Sequence, residues 1–312
     1  MQSLFYIFIF PGFLFLFIFG LLAQFIDRKI YARLQNRIGP PWFQPLADFI
    51  KLIAKEDLVP TESNPRMFRL APIFALTAVI TAMLYIPTWN TKSVYPFTGD
   101  TIIILYLLTI PTLAIFVGGW YSTSLYARIG SMRALNQLFA YEVPLFMGIL
   151  ASALLADTWS ISEINVFYSI HPWLCLTNII GFGVSIIALM GKLEKTPFDI
   201  PEAETEIVAG SFVEYSGKLF ALLRLSLDIE MIVGSAFLVS VFLPFGMTMS
   251  PVIGIIIFIT KILAIVILIA ILRTIFARLR IDQMISFCWK YMVPLALLQL
   301  LINLVLKGVI FK

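Results

Sequence analysis

Apolar positions run through this chain in long blocks. They follow neither the alternation of a strand nor the one-sided stripe of a surface helix. Eight blocks approach the roughly 20 apolar residues that a transmembrane helix requires, at about 3–26, 67–89, 100–121, 134–156, 173–191, 218–243, 251–272 and 287–311. They predict an all-α fold: a polytopic membrane protein with about eight transmembrane helices, forming one integral membrane domain over 1–312. The first block follows no basic segment and ends in Asp27-Arg28-Lys29 without a small-residue cleavage site, so it reads as a retained helix rather than a signal peptide. Residues 27–66 carry a different pattern. Trp42, Leu46, Phe49, Ile50 and Ile53 share one helical face, and Gln44, Asp48, Lys51 and Lys55 share the other. Pro45 suits a first helical turn. The segment predicts an interfacial amphipathic helix in the first inner loop.

The polar positions orient the blocks. Most of the 22 Lys and Arg fall in the connections after blocks 1, 3, 5 and 7: between Arg28 and Arg69, at Arg128 and Arg133, at Lys192, Lys195 and Lys218, and at Arg273, Arg278, Arg280 and Lys290. The opposite side has Lys92, Lys307 and Lys312. Positive charge marks the cytoplasmic side, so both termini are expected outside and the inner connections are expected to carry function. Asp100, Asp157 and Glu163 read as solvated outer residues.

Composition excludes other classes. Of 312 residues, 60% are hydrophobic, 28 are Phe and only 13% are charged, and the mean hydropathy is +0.96; a soluble enzyme cannot hide that much apolar surface. Cys175, Cys288 and His171 are far apart and form no ligand motif, so the chain is expected to bind no metal centre or cofactor of its own. The net charge of +4 is spread over membrane-flanking loops, which gives no support to nucleic-acid binding.

Candidate chemistry lies in two places. Residues 192–217 contain Glu194, Asp199, Glu202, Glu204, Glu206 and Glu214 among apolar residues, with Lys195 as their nearby base. Asp199, Glu202 and Glu206 have the spacing of a shared helical face. Crowded carboxylates near a low dielectric cannot all ionise, which suits a proton or cation relay; an acidic docking loop for a basic partner is the competing reading. The second place is inside the blocks, where ionisable groups default to function. Glu142 precedes the helix-bending Pro144. Arg224 and Asp228 stand four residues apart and can neutralise each other. Glu230 has no local partner, and Lys261 is suited to a carboxylate on another helix. On the inner face, Arg28, Arg33 and Arg37 are either membrane anchors or a cationic rim toward a partner.

Several ordered motifs resemble the H-subunit family of respiratory complex I. They are Asp27-Arg28-Lys29, Gln35 to Pro40, Gln44 to Asp48, Tyr141-Glu142-Val143-Pro144-Leu145, Thr196 to Glu206, Glu214-Tyr215-Ser216-Gly217, and Arg278 to Gln283 with Trp289-Lys290. The resemblance implies that Glu142, Asp199, Glu202, Glu204, Glu206 and Glu214 belong to an acidic path from a redox arm toward antiporter-like membrane subunits; Asp228, Glu230 and Lys261 join that candidate set from their own place inside the blocks, since the sequence departs from the family pattern around Arg224 and Asp228. It also implies that Arg33 and Arg37 meet a cluster-bearing subunit, alongside Arg28, Asp48, Arg278 and Arg280. Inner loops 27–66 and 192–217 would form the face toward that arm.

The stretch between Gly39-Pro40 and Gln44-Pro45 is reduced to Pro41-Trp42-Phe43. That short form is similar to the membrane-anchor subunit of energy-converting nickel–iron hydrogenases and related ferredoxin-linked complexes. This branch implies hydrogenase-like large and small partner subunits carrying a Ni–Fe centre and iron–sulfur clusters, in the cytoplasmic membrane of a prokaryote. The respiratory branch implies a quinone-chamber subunit, with the mitochondrial inner membrane among its locations. A passive anchor or independent cation carrier is the reading from another class.

Overall fold

The computed structural model describes residues 2–246 and 250–310, apart from the side chains of Gln2, Glu204, Thr205 and Ile310; Glu204 as a relay residue and Lys312 as an outer charge therefore lie outside the described set. The chain is all-helical. Helices α1 (Gln2–Phe8) and α2 (Phe13–Leu34) are separated by a break at Phe10-Pro11. Helix α3 (Gln44–Ile53) is followed by α4 (Pro65–Leu84), α5 (Asp100–Trp120), α6 (Leu125–Ala156) and α7 (Ile161–Ile170). Then come α8 (Leu174–Thr177), α9 (Ile179–Lys192), the short α10 (Glu204–Ile207) and α11 (Gly217–Phe242). Helix α12 (Pro251–Ile275) precedes α13 (Ile281–Phe287), which runs through a π-helical turn into α14 (Val293–Ile310). Among the described residues, seven helical stretches are long and apolar enough to cross a membrane.

The expected fifth span, 173–191, is broken. Asn178 separates α8 from α9, and the 14 residues of α9 rise only about 21 Å. The cause is hydrogen bonding. The Asn178 amide donates to the Tyr168 hydroxyl (2.8 Å) and the Leu174 carbonyl (3.3 Å), and its oxygen accepts from Asn303 (2.6 Å). An Asn side chain engaged in this way competes with the helix ladder.

Two further expectations change. Arg128 and Arg133 are not in a loop, because α6 has 32 residues and begins at Leu125. At about 48 Å it outruns a bilayer core of about 30 Å, so its first turns stand in the inner polar region. Asp100 is fully buried rather than solvated and accepts the Ile161 N–H at 2.6 Å, tying the start of α5 to the start of α7. Asp157 and Glu163 are exposed as expected.

Helix α11 is the centre of the bundle, buried at every residue from Ile229 to Phe242. Side chains alone can fill such a core in lipid only if backbones approach closely, and small residues permit that approach. Helix α3 forms where its pattern placed it. Trp42, Leu46, Ile50 and Ile53 are exposed, while Phe49 packs edge-on against Phe17 of α2 at 5.2 Å.

One close approach fixes the inner end. A Cβ on Gly130 of α6 would stand 2.6 Å from the Ser211 nitrogen and 2.7 Å from Gly210 Cα, and backbone cannot yield as a side-chain tip can. Gly130→Ala is expected to cost about 1–3 kcal/mol, the range for overpacking, read as a lower thermal unfolding midpoint of the purified protein.

Candidate functional site

The segment after α9 is anchored before any acid acts. Gln137 of α6 donates to the Gly191 carbonyl (2.6 Å) and the Phe198 carbonyl (2.8 Å), and Leu279 N–H donates to Pro197 (3.0 Å). Phe198, Ile200, Ile207, Phe212 and Tyr215 are buried. Gly210 adopts φ +52°, and a Cβ there would meet the Pro201 oxygen at 1.8 Å, so the turn requires glycine.

This path corrects the expected shared helical face: Asp199 and Glu202 lie outside any helix and only Glu206 falls in the four-residue α10. Each acid instead meets an arginine from a different element. Asp199 pairs with Arg278 (3.2 Å), Glu202 with Arg224 (2.9 Å), and Glu206 with Arg133 (2.6 Å) and Arg278 (3.9 Å). The Arg133 hydrogen bond, with its charge, holds the Glu206 carboxyl below the ordinary carboxylate range. Glu194 is different. Burial drives it well above that range, and the charges of Glu202 and Glu230 push the same way. Glu214 is half-buried and makes no ion pair among the described residues.

Within the bundle, three helices bring charges together. The ammonium of Lys192, at the end of α9, lies 3.8 Å from Glu230 of α11 and 3.9 Å from Glu142 of α6. Lys192 is 1% exposed and Glu230 is fully buried. The ammonium also sits over the ring of Tyr141, 5.4 Å from its centroid, and the Tyr141 hydroxyl is 3.1 Å from Thr112. At 3.8–3.9 Å the groups attract as charges without direct hydrogen bonds.

Glu230, without a partner on its own helix, meets Lys192 through tertiary packing. Two expectations are overturned. Arg224 does not neutralise Asp228: it turns to Glu202, while Asp228 accepts from Gln24 of α2 at 2.8 Å. Lys261 meets no carboxylate among the described residues. It donates to the carbonyls of Leu243 (2.5 Å) and Phe245 beyond the C-terminus of α11, far in sequence from the acids.

A cavity of about 490 Å³ opens beside the acidic segment. Asp27, Glu194, Asp199, Glu202 and Asp228 line it, matched by Arg28, Lys195, Arg224, Arg273 and Arg278. Asp27 is 3% exposed and accepts from both Lys195 (2.6 Å) and Arg273 (3.0 Å), which joins α2, the acidic segment and α12. Arg273 also lies over the Tyr31 ring at 4.2 Å. A second cavity, of about 340 Å³, lies between α3 and the bundle. Sequence reasoning missed Asp27, Lys192 and Arg273 because each sits where an apolar run ends, a place that flanking charges commonly occupy; Lys195 was legible as the base among the acids, but not its pairing with Asp27. Of the residues expected to face a partner, Arg33, Arg37 and Arg280 are exposed, Arg28 pairs with Asp48 at 2.9 Å, and Arg278 is engaged with the acidic segment. No group of three or more His, Cys, Asp or Glu among the described residues is placed to hold a metal ion.

The family model described as NADH dehydrogenase matches residues 7–304. The chain belongs to this family. Curated relatives include the H subunit of the NADH-quinone oxidoreductase of Dehalococcoides mccartyi, 38% identical over 91% of this chain and 81% of that protein. Its namesake from Carboxydothermus hydrogenoformans is 32% identical over 93% and 85%. Among solved structures, a chain of the membrane-bound sulfane sulfur reductase, an archaeal respiratory membrane complex, superposes with a TM-score of 0.82 at 30% identity, covering 93% of this chain and 96% of that one. The expected kinship with the H-subunit family of complex I holds, and the chain is an integral membrane component of a complex I-related oxidoreductase.

Two pH effects follow from the segment's carboxyls. For Glu206 the folded pKa is depressed, so its contribution to folding is present above about 4.5 and is lost as pH falls through the folded value. Limited proteolysis across 201–210 is expected to accelerate on acidification below that point, and Glu206→Gln is expected to be cleaved rapidly throughout. For Glu194 the folded pKa is raised, so folding takes up a proton and stability declines as pH rises above 4.5. Glu194→Gln is expected to remove that part of the decline and to raise the thermal midpoint at neutral pH.

Proposed function

We propose that this chain is the membrane-anchor and coupling subunit of a ferredoxin-linked, complex I-related complex of hydrogenase or sulfur-reducing type. In this reading it links electron transfer in a peripheral arm to translocation of protons or sodium ions. The observation that carries the reading is continuity of charge. The cavity pairs at the inner end lead through buried Glu194 to Glu230, Lys192 and Glu142 in the bundle interior. The likeness to the sulfane sulfur reductase chain supports the branch, as does the short Pro41-Trp42-Phe43 connection.

The chain supplies no redox centre in this reading; a Ni–Fe-type centre and iron–sulfur clusters reside in peripheral large and small subunits that meet the face carrying Arg33, Arg37 and Arg280. Antiporter-like subunits pack against the bundle in lipid. Reduction next door alters the charge facing the cavity. The ion pairs there redistribute, Glu194 gains or loses a proton, and the changed field reaches Glu230, Lys192 and Glu142. The free energy transmitted equals the difference in interaction between the two redox states. The chain's work is electrostatic throughout: it holds charges at fixed positions and moves protons among its own carboxyls.

The quinone-chamber reading is favoured by the names of the curated relatives. Inhibition of the intact complex by quinone-site ligands decides for it and against the first. Lys192→Met, Glu142→Gln and Glu230→Gln test coupling itself. In the intact complex each is expected to keep electron transfer and to lower ion translocation by about a hundredfold, the low end for a positioned proton-transfer group. Unchanged translocation in all three means a passive anchor, and ion transport by the isolated chain in liposomes means an independent carrier.

A further inference from the structure

Buried polar atoms continue outward from Lys192 along the seam between α6 and α9. Ser185 stands on α9 about 10 Å outward of Lys192. It is fully buried, and its hydroxyl has no hydrogen-bond partner among the described residues. It faces α6, because a Cβ on Gly148 would lie 2.6 Å from its Oγ. Asn178 lies about another 10 Å outward, at the break between α8 and α9. On α14, Gln299 and Asn303 stand one turn apart and meet Asn178. One turn beyond Asn303, Lys307 pairs with Asp157 (2.5 Å), whose side chain is 80% exposed. Three buried amides therefore stand between the bundle charges and the outer rim.

The amides leave nothing open. Asn178 donates to the Tyr168 hydroxyl and the Leu174 carbonyl, and its oxygen accepts from Asn303 (2.6 Å) and Gln299 (3.4 Å). Asn303 also donates to the Ala151 carbonyl of α6 (2.7 Å), and its oxygen accepts from Gln299 (2.9 Å). Gln299 donates as well to the Thr177 carbonyl (2.9 Å), and its oxygen accepts the Gly181 N–H (3.3 Å). Part of this arrangement answers a local need: α9 starts inside the bundle, where its first N–H groups have no water to meet. The same set has a second property. A carboxyl group or a water passes a proton by taking one up and releasing another, whereas an amide donates and accepts hydrogen bonds while keeping its own protons. With each amide nitrogen and oxygen engaged, no water is needed to complete the cluster.

We propose that Asn178, Gln299 and Asn303 form a proton barrier, a layer of amides that keeps protons at Lys192, Glu142 and Glu230 from escaping along the α6–α9 seam to the outer face. The inference rests on the coupling reading for its purpose: groups that exchange protons inside a bundle do work only if the short way out is closed.

The test is proton leak at rest. The intact complex is placed in liposomes with trapped pyranine and no electron donor, a pH step is imposed, and the decay of the gradient is followed. Asn303→Asp keeps the size and shape of the side chain but adds an exchangeable proton. It is expected to collapse the gradient several-fold faster than wild type, at a rate that titrates with pH. Gln299→Glu is expected to do the same, and serves if Asn303→Asp does not assemble. Asn303→Leu breaks the hydrogen bonds without supplying an exchangeable proton; it is expected to lower the thermal midpoint yet stay as tight as wild type. Adding Lys192→Met to either acidic variant is expected to restore tightness. Acidic variants as tight as wild type overturn the barrier. An equal leak in Asn303→Leu also overturns it, since loosened packing is then the cause, and so does a leak that survives Lys192→Met, since the route then lies elsewhere. No step requires turnover, so the coupling reading stands or falls separately, on translocation during electron transfer.

Discussion

Lys192 is the constraint on which the rest of the bundle depends. An ammonium 1% exposed to solvent carries a desolvation cost that attraction to opposite charge must offset. Glu230 and Glu142 supply that charge from two other helices, so α6, α9 and α11 have to meet at this level. Their backbones can do so because the neighbouring positions are small. A Cβ at Gly191 would press on Tyr141 at 3.2 Å, and one at Gly234 would meet Leu189 at 2.6 Å. Packing and charge therefore specify each other: without the glycines the helices stand too far apart, and without the carboxylates the lysine has no place among them.

Two groups of buried polar side chains in the bundle differ in how they are satisfied. Toward the outer end, Ser152, Tyr168, Asn178, Gln299 and Asn303 hydrogen-bond one another and nearby carbonyls. A network of neutral groups satisfied in this way is rigid and specific. Toward the inner end, both carboxylate oxygens of Glu194 and of Glu230 are buried with no hydrogen bond to the described protein. Buried groups of that kind are uncommon and call for an explanation beyond packing. The neutral network is thus closed on itself, whereas the carboxylates beside the acidic segment are not.

The long spans were legible because a run of about 20 apolar residues has few other uses. Helix α3 was legible because its two faces differ in character. The broken span was not, since one Asn within an apolar run says nothing about the Gln299 and Asn303 amides that engage it. Spacing made Arg224 and Asp228 a pair, but a four-residue interval only permits an ion pair. The acidic segment brings Glu202 to Arg224, and α2 brings Gln24 to Asp228. Lys261 invited a carboxylate partner, whereas the last carbonyls of α11 have no intrahelical donors and the loop after it needs one. Lys192 was hidden by its ordinary position, because a lysine closing an apolar run is indistinguishable from a membrane anchor until the fold buries it.

Several ions in this collection share two partners. Arg278 stands between Asp199 and Glu206, Asp27 between Lys195 and Arg273, and Lys192 between Glu142 and Glu230. Removing the sole partner of a buried ion leaves a charge uncompensated, at a cost of about 3–5 kcal/mol. A buried ion with two partners escapes that penalty, because it can lean toward one as the other loses charge. Each shared ion therefore keeps one partner if the other loses charge, which is what the coupling role proposed above would use. The charged cavity has the same property in aggregate. Its five acids face five bases, so a unit of charge added at its rim shifts the partition among pairs instead of disrupting a balance held by any one of them.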